Sequence, residues 1–144
     1  MAEEPRDGLS LDLTDQESPN DVRLVSEALS AFNAERARAY DKRPLHVFVR
    51  ERGATLGGLT GFTNWEWLYI ECLWLPAGLR SAGWGARLLA SAEDEARRRG
   101  CGHSHLYSYG FQAPGFYMKQ GYAIYGALEG YPPGERRVLL RKKL

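Results

Sequence analysis

The stretch Tyr69–Gly100, YIECLWLPAGLRSAGWGARLLASAEDEARRRG, constrains the fold more than any other part of the chain. Tyr69 to Leu75 is apolar and aromatic around one charge, Glu71, which is the composition of a central strand. Pro76 and Gly78 end it. Arg80, Gly83 and Gly85 follow in the spacing R-x-x-G-x-G, and a helical pattern begins at about Trp84 and runs to Arg99, with Gly100 as its stop. That helix is expected to bury Leu88, Leu89, Ala92 and Ala96 and to expose Glu93, Glu95, Arg97 and Arg98. A strand that feeds a glycine turn at a helix N-terminus is an anion site, because the first helical amides lack internal partners and the macrodipole is positive there. Glycine lets backbone approach a phosphate closely, and Arg80 adds a fork of charged donors. The ligand this arrangement suits is a pyrophosphate. A dinucleotide fingerprint would need glycine where Leu88 stands, and a P-loop would need Gly-Lys-Ser/Thr, which is absent. The competing reading is an ordinary turn with a surface arginine.

At 144 residues the chain reads as one domain spanning 1–144, with residues 1–8 a loose terminus. Hydrophobic content of 44% and charged content of 26% mark a globular chain. A net charge of +1 gives no general attraction to nucleic acid, and no basic and aromatic interleaving supports one. Acidic residues gather before Val22 and basic ones after Glu135, which reads as two solvated faces. Cys72 and Cys101 form neither a disulfide framework nor a metal spacing. His103 and His105 share one side of a strand but have no third ligand nearby, so no metal is expected. The opening MAEEPRDG is not a signal-peptide pattern, and no apolar run is long enough for a bilayer. A cytoplasmic location is the expectation.

Along the chain, Leu9, Leu11 and Leu13 alternate with polar residues, which predicts a half-buried strand. Ser18-Pro19 signals a helix start, and Val22, Val25, Leu29 and Phe32 recur at helical spacing. His46–Arg52, Thr55–Thr63 and Trp65–Leu75 read as strands joined by short turns, an antiparallel meander. His103–Tyr109 is the next strand after the helix, reached by a right-handed parallel crossover. A short helix over Ala113–Gln120, a strand over Tyr122–Leu128, the turn EGYPPG and a strand over Arg137–Leu144 complete the chain. Strict alternation along the central strand would place Glu71, Leu73 and Leu75 on one face and Cys72 and Trp74 on the other. A buried carboxylate at Glu71 would be costly unless paired or useful.

This order of elements, the turn Arg80-Ser81-Ala82-Gly83-Trp84-Gly85 after ECLWLP, and the segment Phe116-Tyr117-Met118-Lys119-Gln120-Gly121-Tyr122 together resemble the GNAT acetyltransferase superfamily over nearly the whole chain. The resemblance implies an α/β (α+β) fold with a mixed, mostly antiparallel sheet of six to seven strands flanked by helices. It implies that the amides of Ser81, Ala82, Gly83, Trp84 and Gly85, with Arg80, hold the pyrophosphate of acetyl-CoA. Leu73, Trp74 and Leu75 would pair with the pantetheine arm. Tyr117 matches the family tyrosine that protonates the departing thiolate. Glu71 is then a candidate to take a proton from the incoming ammonium, against an ion-paired or edge role. Where many members carry an asparagine that touches pantetheine, this chain has Gly110, so Gln112 becomes the substitute contact. Ser81 stands where glycine is common.

The function implied is an acetyl-CoA-dependent N-acetyltransferase acting on a primary amine by direct attack. A catalytically silent acyl-CoA sensor or interaction module is the alternative. The acceptor is a small-molecule or peptide amine, with no nucleic acid or membrane partner, and a homodimer through the C-terminal strands follows from family analogy alone. Cys72 as an acyl-carrying nucleophile ranks lower, since no histidine lies beside it in sequence.

Overall fold

The computed structural model describes residues 8–144, so the expected loose terminus lies almost wholly outside the described residues. The chain divides into two compact units, Met1–Ala39 and Tyr40–Leu144. In the first unit, α1 spans Pro19–Arg36, with proline in its first turn, where the missing N–H costs nothing. Ser18 bonds the Asp21 carboxylate through its hydroxyl rather than capping a helix amide. Asp21 at the start and Arg36 at the end both complement the helix dipole. The strand expected at Leu9–Leu13 does not form. The segment is irregular, and the three leucines are 79–103% exposed. Alternation alone cannot make a strand without a ladder partner, and no described residue pairs with these.

The second unit holds β1 (Arg43–Glu51), β2 (Ala54–Asn64), β3 (Trp67–Trp74), α2 (Trp84–Arg98), β4 (His103–Tyr109), α3 (Pro114–Lys119), β5 (Ala123–Glu129) and β6 (Arg136–Lys143). The strands form one six-stranded sheet in the order β1-β2-β3-β4-β6-β5, and only the β3–β4 pair is parallel. It is the mixed, mostly antiparallel sheet expected, and α2 supplies the crossover that a parallel pair requires. β3 begins two residues later than the strand expected from Trp65, because Trp65 and Glu66 have φ of +49° and +65° and form a tight turn.

The core lies between α2 and one face of the sheet. Leu88, Leu89, Ala92 and Ala96 of α2 are buried with Leu59, Leu68, Ile70, Leu106, Val138 and Leu140. Glu93 was expected on the exposed side, yet it is 3% exposed. Its carboxylate accepts hydrogen bonds from Lys142 Nζ at 2.9 and 2.7 Å, so a neighbour on β6 neutralises a charge that helical periodicity assigns to solvent.

The β2–β3 ladder carries a bulge. Thr60 pairs with Cys72 and Gly61 with Ile70, which leaves Glu71 as the extra residue. The bulge shifts the alternation. Leu68 and Ile70 face the core before it, and Leu75 is buried beyond it with Leu73 packed against the core. Glu71 therefore does not share the face of Leu73 and Leu75, and it is exposed rather than buried. Gly61 accommodates the bulge, since an added Cβ there would run into the Tyr69 carbonyl oxygen.

Candidate active site

The parallel pair opens towards its C-terminal end. Trp67, Leu68 and Tyr69 pair with His103, Ser104 and His105, and no pairing continues beyond them, although β3 runs to Trp74 and β4 to Tyr109. The two strands diverge there, and the β3 edge that faces β4 is left without a ladder. Leu73, Trp74 and Leu75 line this end of β3, and α2 begins just beyond it.

The turn before α2 has the geometry that anion binding asks for. Ser81 and Gly83 have φ of +64° and +82°, so two left-handed residues flank Ala82 in a turn that can gather successive N–H groups around an anion. The left-handed φ explains why glycine is common at the Ser81 position. Arg80 Nε donates to the Leu75 carbonyl at 2.9 Å, which ties the guanidinium to the end of β3 and leaves its Nη groups for a ligand. Gly83 and Gly85 differ in role. A Cβ on Gly83 would meet nothing within 4 Å, so its requirement is conformational. A Cβ on Gly85 would come within 3.2 Å of the Phe116 ring, so that glycine lets α2 approach α3. Arg87, a further candidate that the motif leaves out, has its guanidinium 4.0 Å from the Trp84 ring in the first turn of α2, a turn with no acidic residue. The signal was its place one helical turn beyond Gly83, outside the motif.

Tyr117 lies on α3 and is 9% exposed, with its ring edge-on to Phe116 and Tyr122 at 5.1 and 5.9 Å. Burial pushes its phenol up to about 12, and the Cys72 thiol adds to the rise. The phenol thus sits near the bulged part of β3 and holds its proton throughout the neutral range. Its hydroxyl is in no hydrogen bond with any described residue. Glu71 is exposed and likewise in no ion pair among the described residues. Tyr69 has its phenol pushed up, chiefly by burial, then by Tyr107 against a pull from Arg137, with smaller pushes from Glu71 and Cys72. Cys72 of β3 thus bears on both phenols, Tyr69 of its own strand and Tyr117 of α3.

Gln112 is partly committed. Its Oε1 accepts from Tyr109 N at 2.9 Å and from Ser108 Oγ at 3.4 Å, closing the end of β4 and leaving the amide nitrogen unbonded by described residues. Gly110 spends its N–H on the Arg136 carbonyl at 2.8 Å. His103 and His105 are taken up by ring contacts, the first stacked on Trp67 at 4.5 Å and the second edge-on to it at 5.4 Å.

The model of the acetyltransferase (GNAT) family matches residues 11–122. The chain is 42% identical over 139 residues to the blasticidin-S acetyltransferase of Streptomyces morookaense, covering 93% of this chain and 99% of that protein. It is 33% identical over 133 residues to an acetyltransferase of Agrobacterium fabrum, covering 92% and 95%. A crystal structure of an acetyltransferase from Bacillus cereus superposes with a TM-score of 0.84 at 28% identity, covering 92% of this chain and 98% of that one. None of these relatives is described as a silent acyl-CoA-binding module. With a glycine turn at the head of α2, strands β3 and β4 that part beyond Tyr69, and a family model and relatives that match nearly the whole chain, the chain belongs to the GNAT family and is an acetyl-CoA-dependent N-acetyltransferase.

Proposed function

We propose that this chain, acting as a single domain in the cytoplasm, acetylates a primary amine on a small molecule, with an antibiotic of the blasticidin-S kind as the first acceptor to try. In this reading Arg80 and the amides of Ser81 to Gly85 hold the pyrophosphate, and the open edge of β3 at Leu73, Trp74 and Leu75 takes the pantetheine amides. The free nitrogen of Gln112 is a further contact to that arm. The amine, once neutral, attacks the thioester carbon. The carbonyl carbon becomes tetrahedral, a β3 amide steadies the oxyanion, and collapse expels the thiolate. Tyr117 gives that thiolate its proton, and Glu71 accepts the proton lost by the ammonium, directly or through water.

The observation that carries the reading is the left-handed turn at Ser81 and Gly83, set between the unpaired end of β3 and the start of α2, with Arg80 held there by the Leu75 carbonyl. Tyr117, buried on α3 with a hydroxyl that no described residue bonds, holds its proton at neutral pH as any phenol does. The test is thiol release from acetyl-CoA with blasticidin S and a panel of amines, with the products identified by mass spectrometry. An acetylated amine is the expected product, and hydrolysis alone would sink the reading. A homodimer belongs to the same reading, and sedimentation velocity checks it.

A further inference from the structure

One charged group near the open end of the sheet has no anionic partner among the described residues. Arg137 on β6 is only partly exposed, and its guanidinium carbon lies 3.4 Å from the Tyr107 ring centroid and 5.3 Å from that of Tyr131. Its Nε is buried without a hydrogen bond, and it forms no ion pair with any described residue. A partly desolvated guanidinium with an orphaned donor is costly, and ring faces offset only part of that cost.

Strand register places this group. Arg137 stands opposite Tyr109, and Tyr107 opposite Leu139, while the intervening Ser108 and Val138 are buried towards α2. Arg137, Tyr107 and Tyr109 therefore share the sheet face away from α2. Tyr69 joins that face from β3, opposite His105. Tyr109 stacks on Tyr131 at 5.8 Å and 5°, and on Phe111 at 5.5 Å and 2°, which extends the aromatic surface towards the β5–β6 turn. Glu71, exposed at the bulge, supplies an unpaired carboxylate next to Tyr69. Arg141, opposite His105, shares this face but lies over Tyr125, whereas Arg137 stands opposite Tyr109 at the end of the strands where the proposed chemistry occurs, with the exposed Glu71 carboxylate on the same aromatic surface.

We propose that this face binds an acceptor carrying a carboxylate beside its amino group, and that Arg137 is the residue that recognises the carboxylate. The inference rests on the acetyltransferase reading above and names the acceptor class within it. A guanidinium held flat against Tyr107 presents a planar edge, which matches a planar carboxylate in two-pronged fashion. Glu71 attracts the ammonium end and so orients the molecule.

The experiment is initial-rate kinetics on the full chain with amino acids and the matching amino-acid amides, which differ only in the carboxylate. The wild type is expected to favour the carboxylate member of each pair. Arg137→Gln should raise KM for that member tenfold or more while leaving KM for acetyl-CoA and for the amides near wild type, and Arg137→Lys should recover part of the preference. A wild type that acetylates acid and amide equally overturns the inference and leaves the acetyltransferase reading intact. So does an Arg137→Gln enzyme impaired equally on both. A wild type that releases no thiol with any amine, blasticidin S included, overturns the underlying reading and this inference together. The wild-type preference alone tests the idea should the glutamine variant not fold.

Discussion

Removing one oxygen atom tests the proposed chemistry most directly. Tyr117→Phe keeps the ring that packs against Phe116 and Tyr122 and takes away a hydroxyl that no described residue bonds. The variant should therefore fold as the wild type does, with little change in melting temperature at neutral pH. The chemical step should slow by roughly a hundredfold to ten-thousandfold, the usual worth of a positioned general acid, or about 2.7 to 5.5 kcal/mol of transition-state stabilisation. Acetyl-CoA affinity should be unchanged. A second, independent reading comes from alkaline stability. The folded phenol is raised to about 12 from an ordinary 10, so its contribution is fully present below pH 10 and is lost as pH rises from 10 through 12, where the unfolded chain ionises first. That rise corresponds to about 2.7 kcal/mol, which wild type should lose over that window and Tyr117→Phe should not. The assays are single-turnover thiol release beside a titration of acetyl-CoA, and denaturant melts at pH 9 and above. A variant that keeps the wild-type rate in the chemical step would refute the acid role and leave Tyr117 as a packing residue.

Gly83→Val should weaken acetyl-CoA binding by at least tenfold, about 1.4 kcal/mol, because a β-branched residue resists the left-handed φ of +82° that shapes the turn. Calorimetry on the folded variant checks it, and wild-type affinity would displace the pyrophosphate from this turn. Gly61→Ala should destabilise the fold by about 1–3 kcal/mol, since its Cβ meets backbone at the Tyr69 carbonyl rather than a side chain that can move, and a thermal melt reads the loss. Glu71→Gln should lower turnover most at neutral pH, with the deficit shrinking as pH rises and free amine accumulates. A deficit that is flat with pH and follows a lowered melting temperature would make Glu71 structural.

Local chemistry was enough for much of this protein. The R-x-x-G-x-G turn, the helix over Trp84–Arg98 and the short helix bearing Tyr117 are written in neighbours a few residues apart, where glycine, proline and helical spacing act directly. The order of elements follows from the same signals, and with it the mixed sheet and its one parallel crossover. What depended on partners distant in the chain was not legible. The alternation at Leu9, Leu11 and Leu13 predicts a strand, but pairing is a property of two segments, and no described segment pairs with this one. Glu71 reads as a buried charge in an apolar run, and only the register against Thr60 and Gly61 turns it out at a bulge. Glu93 reads as solvent-facing until Lys142, 49 residues away, neutralises it in the core. Arg137 reads as one member of a basic tail, and the ladder between β4 and β6 lays it against Tyr107 with no anion to meet it. The divergence of β3 and β4 beyond Tyr69 is of the same kind, because where two strands stop pairing is decided by the packing around both.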